Sequence, residues 1–403
     1  MPTKTVAVIL FTSRYVMYSV AKARLTKRGD VSVDSAFDNE KATSRTEPWD
    51  QSDKSDLEGG METAVKEIVS GSSKKIDAVC VSCCRYLEST TPLDRGMPNS
   101  RYGIIEESAI NRAWKGYDLY GRCRWHFQEH GMEPEIFVQT DVNLAALGEY
   151  HFRRNENTLV PPEDIQALIE AGYDRHTAAE HIARRSSVAY LKLSDTIDAS
   201  ICVGGEIIDT LANPIFGWRR PRRLFYDGIR DKFSGTCRVH RDCFSGLISS
   251  KAIAARLAEV GIEAPLHTLP PDDPIDYIIA HYAAQLCETL NAVFFPQVIS
   301  VGGRTVEDRG KRANTTTRDI SEIILQSFLN EIYSDYLLRR YPNHDDITRR
   351  HGYGNRLDRN MPDVGFIQPT RSEYPVAYGG LYYAGKEALS PNMGSANSRR
   401  KNV

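Results

Sequence analysis

Residues 5–25 read TVAVILFTSRYVMYSVAKARL, and this stretch decides the fold class. It is rich in β-branched residues and is interrupted by TSR at residues 12–14, which predicts two strands joined by a short turn. Residues 61–71, METAVKEIVSG, carry apolar side chains at helical spacing, and residues 76–82, IDAVCVS, have the composition of a buried strand. Two strands, a helix and a further strand in this order predict an α/β domain.

The composition limits the classes of protein and partner. The chain has 403 residues, of which 41% are hydrophobic, so it can form two domains that each bury a core. Its 51 Lys and Arg against 53 Asp and Glu give a formal net charge of −2, which provides no general attraction to nucleic acid or to an anionic membrane. The apolar runs are too short to span a bilayer, and the N-terminus lacks a secretion signal. We therefore expect a cytoplasmic protein with neither nucleic acid nor membrane as a partner.

Further patterns predict the division of the chain. A strand at EPEIFVQTD (residues 133–141) leads into a helix that starts near Asp141, and a strand pair is predicted at residues 186–209. We divide the chain into an N-terminal α/β lobe at 1–140 and a C-terminal α/β lobe at 141–375, with a helical-hairpin insertion at about 161–185. A helix at about 376–390 could pack back on the N-terminal lobe. We expect an exposed loop at 34–60, a long helix at about 319–340, a polar region at 341–372 and a disordered tail at 391–403.

Two charged or metal-ligating patterns stand out. Eight cysteines in so long a chain predict core thiols, but Cys237, His240 and Cys243 follow a Cys-x-x-His-x-x-Cys pattern. Two thiolates and an imidazole at this spacing can converge on one tetrahedral zinc ion. The alternative is an ordinary loop with two thiols, and a closed zinc site needs a fourth ligand. Residues 219–223, RRPRR, predict a solvated basic loop, or alternatively a site for a phosphorylated ligand or an acidic partner.

A third pattern is the strand-to-helix junction at Thr140 and Asp141. An Asp at the start of a helix most often caps backbone amide groups. A carboxylate at the carboxyl end of a strand can instead act as a general base toward a hydroxyl group. These residues alone leave both roles open.

Several stretches in order along the chain resemble the ROK family of sugar kinases, most closely its bacterial fructokinase branch. The most specific are FVQTDVNLAALGEY at residues 137–150 and the Cys-x-x-His-x-x-Cys loop. The others are PNSRYGIIEESAINRAWKGYDL (98–119), AYLKLSDTIDASICVGGEII (189–208), ANPIFGW (212–218) and AAQLCETLNAVFFPQVISVGG (283–303). The resemblance covers roughly residues 5–305 and a last helix near 374–389. It implies an actin-like (ribonuclease H-like) fold, with ATP on one side of a cleft and a sugar between two α/β lobes.

The resemblance also implies roles for individual residues. Asp141 would take the proton from the sugar hydroxyl as that oxygen attacks the γ-phosphate. The implied substrate-binding residues are Thr140, Asn143, Tyr102 and Gly103; the implied adenosine-side glycines are Gly302 and Gly303; and the implied zinc ligands are Cys237, His240 and Cys243. Family members are often dimeric, so a homodimer is an expectation by analogy.

The phosphate-binding motifs depart from the family. Where family members have an acidic residue followed by Gly-Gly-Thr, this chain has LFTSRY at residues 10–15. Where they have Gly-Thr-Gly-Ile-Gly-Gly, it has SDTIDA at residues 194–199. Glycines there let backbone amides approach phosphate. A carboxylate about 4 Å from a phosphate charge costs roughly 4 kcal/mol at an effective dielectric constant of about 20, or about a thousandfold in affinity. Arg14 and Asp195 would have to serve as replacement phosphate and magnesium ligands, so we expect ATP and Mg²⁺ to bind poorly.

The sugar and zinc motifs depart too. The family's Pro-Glu-x-Gly-His, which supplies the fourth zinc ligand and a sugar contact, reads PIFGW at residues 214–218. Trp218 cannot bind zinc and Ile215 cannot replace the Glu, so zinc would depend on three ligands and an unidentified fourth or a water. This chain has Ser245 where family members have another Glu. It has CRYLE at residues 84–88 where they have a Gly-Pro-Ile-Asp turn.

Three functions remain under consideration. The first is a fructokinase-like protein whose phosphorylation of sugars is impaired or lost and which binds a sugar-like ligand or a partner protein. The second is an active ATP-dependent kinase of a sugar, aminosugar or polyol, with Asp141 as general base. The third is a regulatory member of the family, which we disfavour because no helix-turn-helix is found before the first strand.

Overall fold

The structure of the protein is a computed structural model that describes most residues between 2 and 389. The longer described stretches are 2–12, 16–26, 30–34, 54–72, 75–84, 101–105, 114–156, 162–175, 186–208, 215–226, 229–270, 273–306, 367–370 and 374–389. The shorter ones are 43–45, 87–88, 93–94, 97–98, 159, 177–178, 182 and 323–324. Several predictions fall outside these residues: the role of Arg14, most of the helix at 319–340, most of the polar region at 341–372 and the tail at 391–403.

The secondary structure is mixed throughout. The strands are β1 Thr3–Phe11, β2 Val16–Leu25, β3 Val31–Val33, β4 Thr43–Arg45, β5 Ala78–Cys83, β6 Leu93–Asp94, β7 Met97–Pro98, β8 Glu135–Val138, β9 Ser187–Leu193, β10 Ile197–Val203, β11 Glu206–Ile207, β12 Phe225–Tyr226, β13 Ile229–Arg230, β14 Val298–Gly302 and β15 Ile367–Pro369. The helices are α1 Lys54–Gly71, α2 Leu119–Glu129, α3 Asp141–Asn155, α4 Pro162–Glu170, α5 Ile215–Trp218, α6 Phe244–Ile248, α7 Ser250–Glu259, α8 Pro274–Phe294 and α9 Pro375–Leu389.

The chain forms two compact units, one of Met1–Gly148 with Tyr374–Val403 and one of Glu149–Glu373. The sheet of the first unit has the order β3-β2-β1-β5-β8, with β4 also paired to β2. Strand β1 runs antiparallel to β2 and parallel to β5. Helices cover both faces of β1: Ala7, Ile9 and Phe11 share a core with α1 and α2, whereas Val8 meets Gly380 of α9. Burial on both faces explains why β1 is almost continuously apolar.

The second unit repeats this arrangement. Its sheet has the order β11-β10-β9-β14-β15, in which β9 runs antiparallel to β10 and parallel to β14. Its core joins these strands to α6, α7 and α8, through residues such as Leu191, Ile201, Leu247, Ile253 and Ile279. The strands β1 and β9 have equivalent places in the two sheets. Each pairs antiparallel with the next strand in sequence on one side and parallel with a later strand on the other.

A buried polar network holds the second half of α3 within this unit. Glu149 and Arg153 have side chains that are 0% exposed, and Arg153 Nε donates to Glu149 Oε2 at 3.1 Å. Ser300 Oγ of β14 donates to the same carboxylate at 2.9 Å and accepts from Arg153 Nη2 at 3.0 Å. Each buried charge is therefore compensated by hydrogen bonds, as a buried ion pair requires.

Sequence-based expectations are confirmed for β1, β2 and β5, for the start of α3 at Asp141, and for the β9–β10 pair. Others are wrong. Helix α1 begins at Lys54 rather than near residue 61, because its first turns are polar and look like a loop in sequence. The unpredicted α2 follows the capping residue Asp118, whose Oδ1 accepts from Gly121 N at 2.8 Å. The basic loop expected at residues 219–223 lies between α5 and the β12–β13 hairpin, neither of which was predicted, and the polar 341–372 region contains β15.

Candidate functional site

Polar side chains organise the junction between β8 and α3. Gln139, which is fully buried, accepts two hydrogen bonds at Oε1: from Thr140 N at 2.8 Å and from Asn143 Nδ2 at 2.9 Å. Thr140 Oγ1 accepts from Asn143 N at 3.4 Å, and Thr140 O accepts from Leu144 N at 3.1 Å. Thr140 is therefore the residue that caps α3, because an N-cap side chain accepts from a backbone amide of the first turn.

Asp141 is the first residue of α3 and is only partly buried. Its side chain lies at the N-terminus of the helix, where the helix dipole stabilises negative charge. The capping hydrogen bond from Asn143 N is accepted by Thr140 Oγ1. Capping by this hydrogen bond is therefore not the reason for an acidic residue at position 141. The position is compatible with the general-base role that the resemblance implies.

Tyr102 and Gly103 support the end of β8. The Tyr102 hydroxyl accepts from Val138 N at 2.7 Å, and burial raises the pKa of this tyrosine. Gly103 has φ +75°, and a Cβ on it would lie 2.9 Å from Tyr120 Cβ and 3.0 Å from Val138 Cγ2. Both residues have structural contacts that explain their identity, and their substrate-binding role stays a prediction.

The β9–β10 turn of the second unit replaces the expected glycine loop. Ser194, Asp195 and Thr196 form it, and Asp195 Oδ1 lies 3.6 Å from Arg304 Nη1. The side chains of Asp195 and Arg304 are 30% and 37% exposed, so solvent screens their attraction. Arg304 thus neutralises part of the negative charge at a turn where the resemblance implies phosphate binding. The turn also touches the start of α7, since Ser194 O accepts from Ser250 N at 3.0 Å.

Gly302 and Gly303 lie at the end of β14, and Gly302 is paired in register with Lys192 of β9. A Cβ on Gly302 would lie 2.3 Å from the Tyr190 hydroxyl oxygen, and one on Gly303 would lie 2.7 Å from Leu193 O. Gly303 also has φ +96°, which side chains rarely tolerate. Packing against β9 is therefore sufficient to require both glycines, and their nucleotide role stays a prediction.

The structure brings Cys237, His240 and Cys243 together, with their ligand atoms all within 4.8 Å of one another. Cys237 Sγ lies 4.0 Å from His240 Nδ1 and accepts from His240 N at 3.5 Å. Burial, with Cys237 nearby, raises the pKa of Cys243 to about 12. Two sulfur atoms and one ring nitrogen in such a cluster suit zinc, so these residues fit the ion that the resemblance implies.

Backbone geometry shapes this loop without help from a metal. Cys237 and Arg241 form a β-bridge, with Arg241 N donating to Cys237 O at 3.0 Å. Arg241 has φ 56°, and a Cβ on Gly235 or Gly246 would lie 2.0 or 1.7 Å from Arg241 O. The two glycines therefore permit the close turn that carries the three ligands.

The basic RRPRR loop is engaged within its own unit. Arg220 Nε lies 3.2 Å from Asp242 Oδ1, and Arg223 lies 3.4 Å from Asp242 and 3.7 Å from Asp231. Arg222 Nη2 lies 3.3 Å from Glu288, and Arg219 Nη1 donates to Thr289 Oγ1 at 3.0 Å. These partners account for the basic run, although Arg220 and Arg222 remain more than 70% exposed.

Three residues at these sites were missed in the sequence. Gln139 had a sequence cue, namely a polar residue that ends a buried strand directly before Thr140. Arg304 directly follows Gly302 and Gly303. Its partner Asp195 is 109 positions away, so no pattern in the sequence indicates the pairing. Trp218 was noted only as a lost ligand, yet its ring centroid lies 5.4 Å from that of His240.

Curated proteins similar in sequence to this chain are fructokinases. The chain is 25% identical over 223 residues to a fructokinase of Lactococcus lactis subsp. cremoris, a match covering 55% of this chain and 61% of that protein. It is 23% identical over 218 residues to a fructokinase of Pediococcus pentosaceus, covering 54% of this chain and 61% of that protein. The chain thus spans about three fifths of the length of these relatives. No protein-family model matches it.

Solved structures share its fold. A ROK hexokinase from Thermus thermophilus aligns with a TM-score of 0.51 and 13% identity, over 94% of this chain and 97% of that one. A glucokinase from Parabacteroides distasonis aligns with a TM-score of 0.51 and 14% identity, also over 94% and 97%. These likenesses confirm the predicted actin-like fold. Within the described part of the chain, no helix combines the length and the apolar character needed to cross a bilayer.

Proposed function

Because the chain is related to the ROK family of sugar kinases, we propose that it binds a sugar or sugar-like ligand while its ATP-dependent phosphorylation of that ligand is impaired or lost. The observation that carries this proposal is the β9–β10 turn. Residues 194–199 contain no glycine, and Asp195 places a carboxylate at the turn, paired with Arg304 at 3.6 Å. Side chains there keep phosphate from the backbone amides, and a carboxylate repels it.

The start of α3 supports the ligand-binding half of the proposal. Gln139, Thr140 and Asn143 hold one another by hydrogen bonds of 2.8–3.4 Å, so the first turn of α3 is preorganised. Asp141 adds a partly exposed carboxylate there. Carboxylate and amide groups are suited to sugar hydroxyls, because they accept and donate hydrogen bonds in fixed directions.

Calorimetric titration with a panel of hexoses, aminosugars and polyols tests the proposal. We expect binding of at least one of these, weakened by at least about tenfold in Asp141→Asn, which keeps the shape of the side chain but removes its charge. The control is Asp56→Asn, an acidic residue in the first turn of α1. If no sugar-like compound binds and a protein partner is found instead, the sugar-ligand proposal is wrong.

An active kinase is the second candidate, and two observations favour it. Thr140 caps α3, so Asp141 is not required for that hydrogen bond, and Arg304 offsets part of the charge of Asp195. In this reaction, Asp141 accepts the hydroxyl proton, the hydroxyl oxygen bonds to the γ-phosphorus, and the bond from that phosphorus to the β-phosphate oxygen breaks to release ADP. Asp141→Ala would then lower turnover by several orders of magnitude with little loss of sugar binding. Sugar-dependent ADP formation that survives this substitution would contradict Asp141 as the base.

We also propose that Cys237, His240 and Cys243 hold a structural zinc ion. Bound zinc would crosslink the ends of the 237–243 loop and lower the pKa values of the two thiols to yield thiolates. Purified protein should contain about one zinc per chain by elemental analysis, and Cys243→Ser should lose it. Cys287→Ser, at a buried cysteine of α8, is the matched control that keeps the metal.

The proposed partners are a sugar-like small molecule and a second copy of the chain, with no nucleic acid. The near balance of 51 basic and 53 acidic residues supports the absence of nucleic acid, and the homodimer is an analogy with relatives. Analytical ultracentrifugation should show a dimer, and genomic DNA fragments should show no mobility shift.

A further inference from the structure

The geometry of the 237–243 loop points to a metal site with three protein ligands. Zinc–sulfur distances of about 2.3 Å and zinc–nitrogen distances of about 2.0 Å place tetrahedral ligand atoms roughly 3.5–3.8 Å apart. The observed 4.0 Å between Cys237 Sγ and His240 Nδ1 is close to that spacing. Among the residues that the structure describes, no fourth Cys, His, Asp or Glu completes the cluster.

Trp218 is packed beside this cluster from a neighbouring segment. Its ring lies 5.4 Å from that of His240, with the two planes inclined at 48°. The next residue, Arg219, accepts a hydrogen bond at its backbone oxygen from Phe244 N at 3.0 Å, directly after Cys243. The Trp218 ring therefore packs against His240, in the middle of the 237–243 loop. Its backbone lies near the end of that loop.

This placement of Trp218 is fixed by packing. A Cβ on Gly217 would lie 2.1 Å from Ile197 O and 2.5 Å from Ser245 Oγ, so the backbone of α5 is in close contact with β10 and α6. A residue at position 218 is consequently held beside His240. An indole has one N–H donor and no lone pair available for a metal, so tryptophan at this position contributes no ligand.

We infer that a metal held by Cys237, His240 and Cys243 keeps an exchangeable fourth ligand, a water molecule or a small anion, because Trp218 occupies the position from which a protein ligand could complete the site. This inference rests on the proposed binding of zinc. A closed structural zinc site has four protein ligands, so a structural zinc ion held here by three would have its fourth position open to an exchangeable ligand, as catalytic zinc sites do. Two thiolates balance the charge of a divalent ion, and the exposed Arg238 leaves the loop accessible to an anion.

Cobalt substitution of the full chain tests the inference, because Co²⁺ takes the same ligands and its visible spectrum reports their number and kind. We expect one Co²⁺ per chain with a thiolate charge-transfer band that is lost in Cys243→Ser. Added azide or imidazole should change the visible absorption in a saturable way. In Trp218→His that response should disappear and the affinity for Co²⁺ and Zn²⁺ should rise by at least about tenfold, since the metal gains a fourth protein ligand. Trp218→Phe is the matched control and should retain the response.

The failures are distinguishable. If the chain binds neither Co²⁺ nor Zn²⁺, the proposed zinc site is wrong and the inference is wrong with it. If Co²⁺ binds with a tetrahedral thiolate spectrum that azide and imidazole leave unchanged, the zinc proposal stands but a fourth protein ligand is present, and the open position is refuted. The response of the unsubstituted protein decides this even if Trp218→His fails to fold.

Discussion

The start of α3 and the β9–β10 turn differ in what the chain has kept. At the start of α3, Gln139 Oε1 accepts from Thr140 N and Asn143 Nδ2, and Asp141 stands where the resemblance implies a proton acceptor. At the β9–β10 turn, the implied glycines are replaced, and Asp195 is paired with Arg304. The first region matches the residue types that the resemblance implies, and the second does not.

A residue type that matches the family is not by itself evidence of a functional role. Gln139, Thr140 and Asn143 have hydrogen bonds that the start of a helix needs in any case, and Gly302 and Gly303 are required by contact with β9. At Asp141, by contrast, the capping hydrogen bond is accepted by the neighbouring Thr140. Substitutions are therefore needed that distinguish a structural role from a ligand-binding role at the start of α3 and at the β9–β10 turn.

The largest effect is expected at the far end of α3. Arg153→Ala should lower the free energy of unfolding by about 3–5 kcal/mol, because it removes the positive charge that is paired with the buried Glu149 carboxylate. Urea denaturation followed by circular dichroism measures this. Arg124→Ala, at an exposed position of α2, should change stability by about 0.5 kcal/mol or less.

A smaller loss at Arg153 would contradict the assigned network. The double variant Glu149→Leu with Arg153→Met sharpens the result, since apolar replacement of both partners should recover most of the loss. If the double variant is as unstable as the single one, the network holds α3 in a way that apolar packing cannot replace.

Gln139→Leu should have the next largest effect. It removes the acceptor of two buried donors, Thr140 N and Asn143 Nδ2, at a cost of about 1–3 kcal/mol. Because Asn143 loses its anchor, sugar affinity should fall by more than stability predicts. Thermal unfolding and calorimetry measure the two effects, with Gln128→Leu at an exposed position of α2 as control. Unchanged sugar affinity in a folded Gln139→Leu protein would show that this region is only a packing element.

Asp195→Asn tests the other region. Removing the carboxylate should raise the affinity for ATP–Mg²⁺ by about tenfold, well below the unscreened Coulomb estimate, because Arg304 and solvent already offset part of the charge. Competition with a fluorescent ATP analogue measures the change, and Glu259→Gln at the exposed end of α7 is the control. A fall in affinity would instead identify Asp195 as a magnesium ligand.

The smallest effect is expected on acidification, since each of the two units contains a carboxylate whose pKa is lowered by hydrogen bonds. Burial acts to raise the pKa of Glu58, but hydrogen bonds from Arg122, Tyr117 and His126 hold it at about 2. Burial acts to raise the pKa of Asp231 as well, but hydrogen bonds from Arg256 and Tyr282 hold it at about 2. Their ordinary values are 4.5 and 3.8, so each folded pKa is depressed.

A depressed carboxyl pKa contributes stability above the unfolded value, and this stability is lost as pH falls through the folded value. Both units should therefore weaken between about pH 4.5 and pH 2, as measured by urea midpoints across that range. Asp231→Asn should flatten the dependence for the second unit only. If Asp231→Asn flattens the pH dependence of the urea midpoint equally in both units, the two units do not unfold independently.

The alternation and helical spacing in the sequence predicted the strands and helices that carry the site, because β1, β2, β9, β10 and α3 each have a strong local pattern. Helix α1 was predicted too short since its first turns are polar, and β15 was missed within a polar stretch. Local pattern cannot reveal an element whose burial is decided by residues distant in sequence.

The same limit applies to the candidate site. The residue types at Asp141 and in the 237–243 loop are visible in the sequence, and the structure brings the three candidate ligand atoms of that loop together. The partners of Asp195, of the RRPRR loop and of His240 are 8 to 109 positions away, so their pairing depended on the fold. The pairing of Arg223 with Asp242 shows how a basic run that suggests a ligand can be satisfied internally.

Isothermal titration of the full chain with ATP and Mg²⁺, with and without a bound sugar, measures the consequence of the altered β9–β10 turn most directly. We predict no saturable binding below about millimolar concentration, because residues 194–199 contain no glycine and Asp195 adds a carboxylate at the turn where the resemblance implies phosphate binding. A micromolar dissociation constant, accompanied by sugar-dependent ADP formation that Asp141→Ala abolishes, would establish an active kinase and contradict the loss of the phosphate cradle.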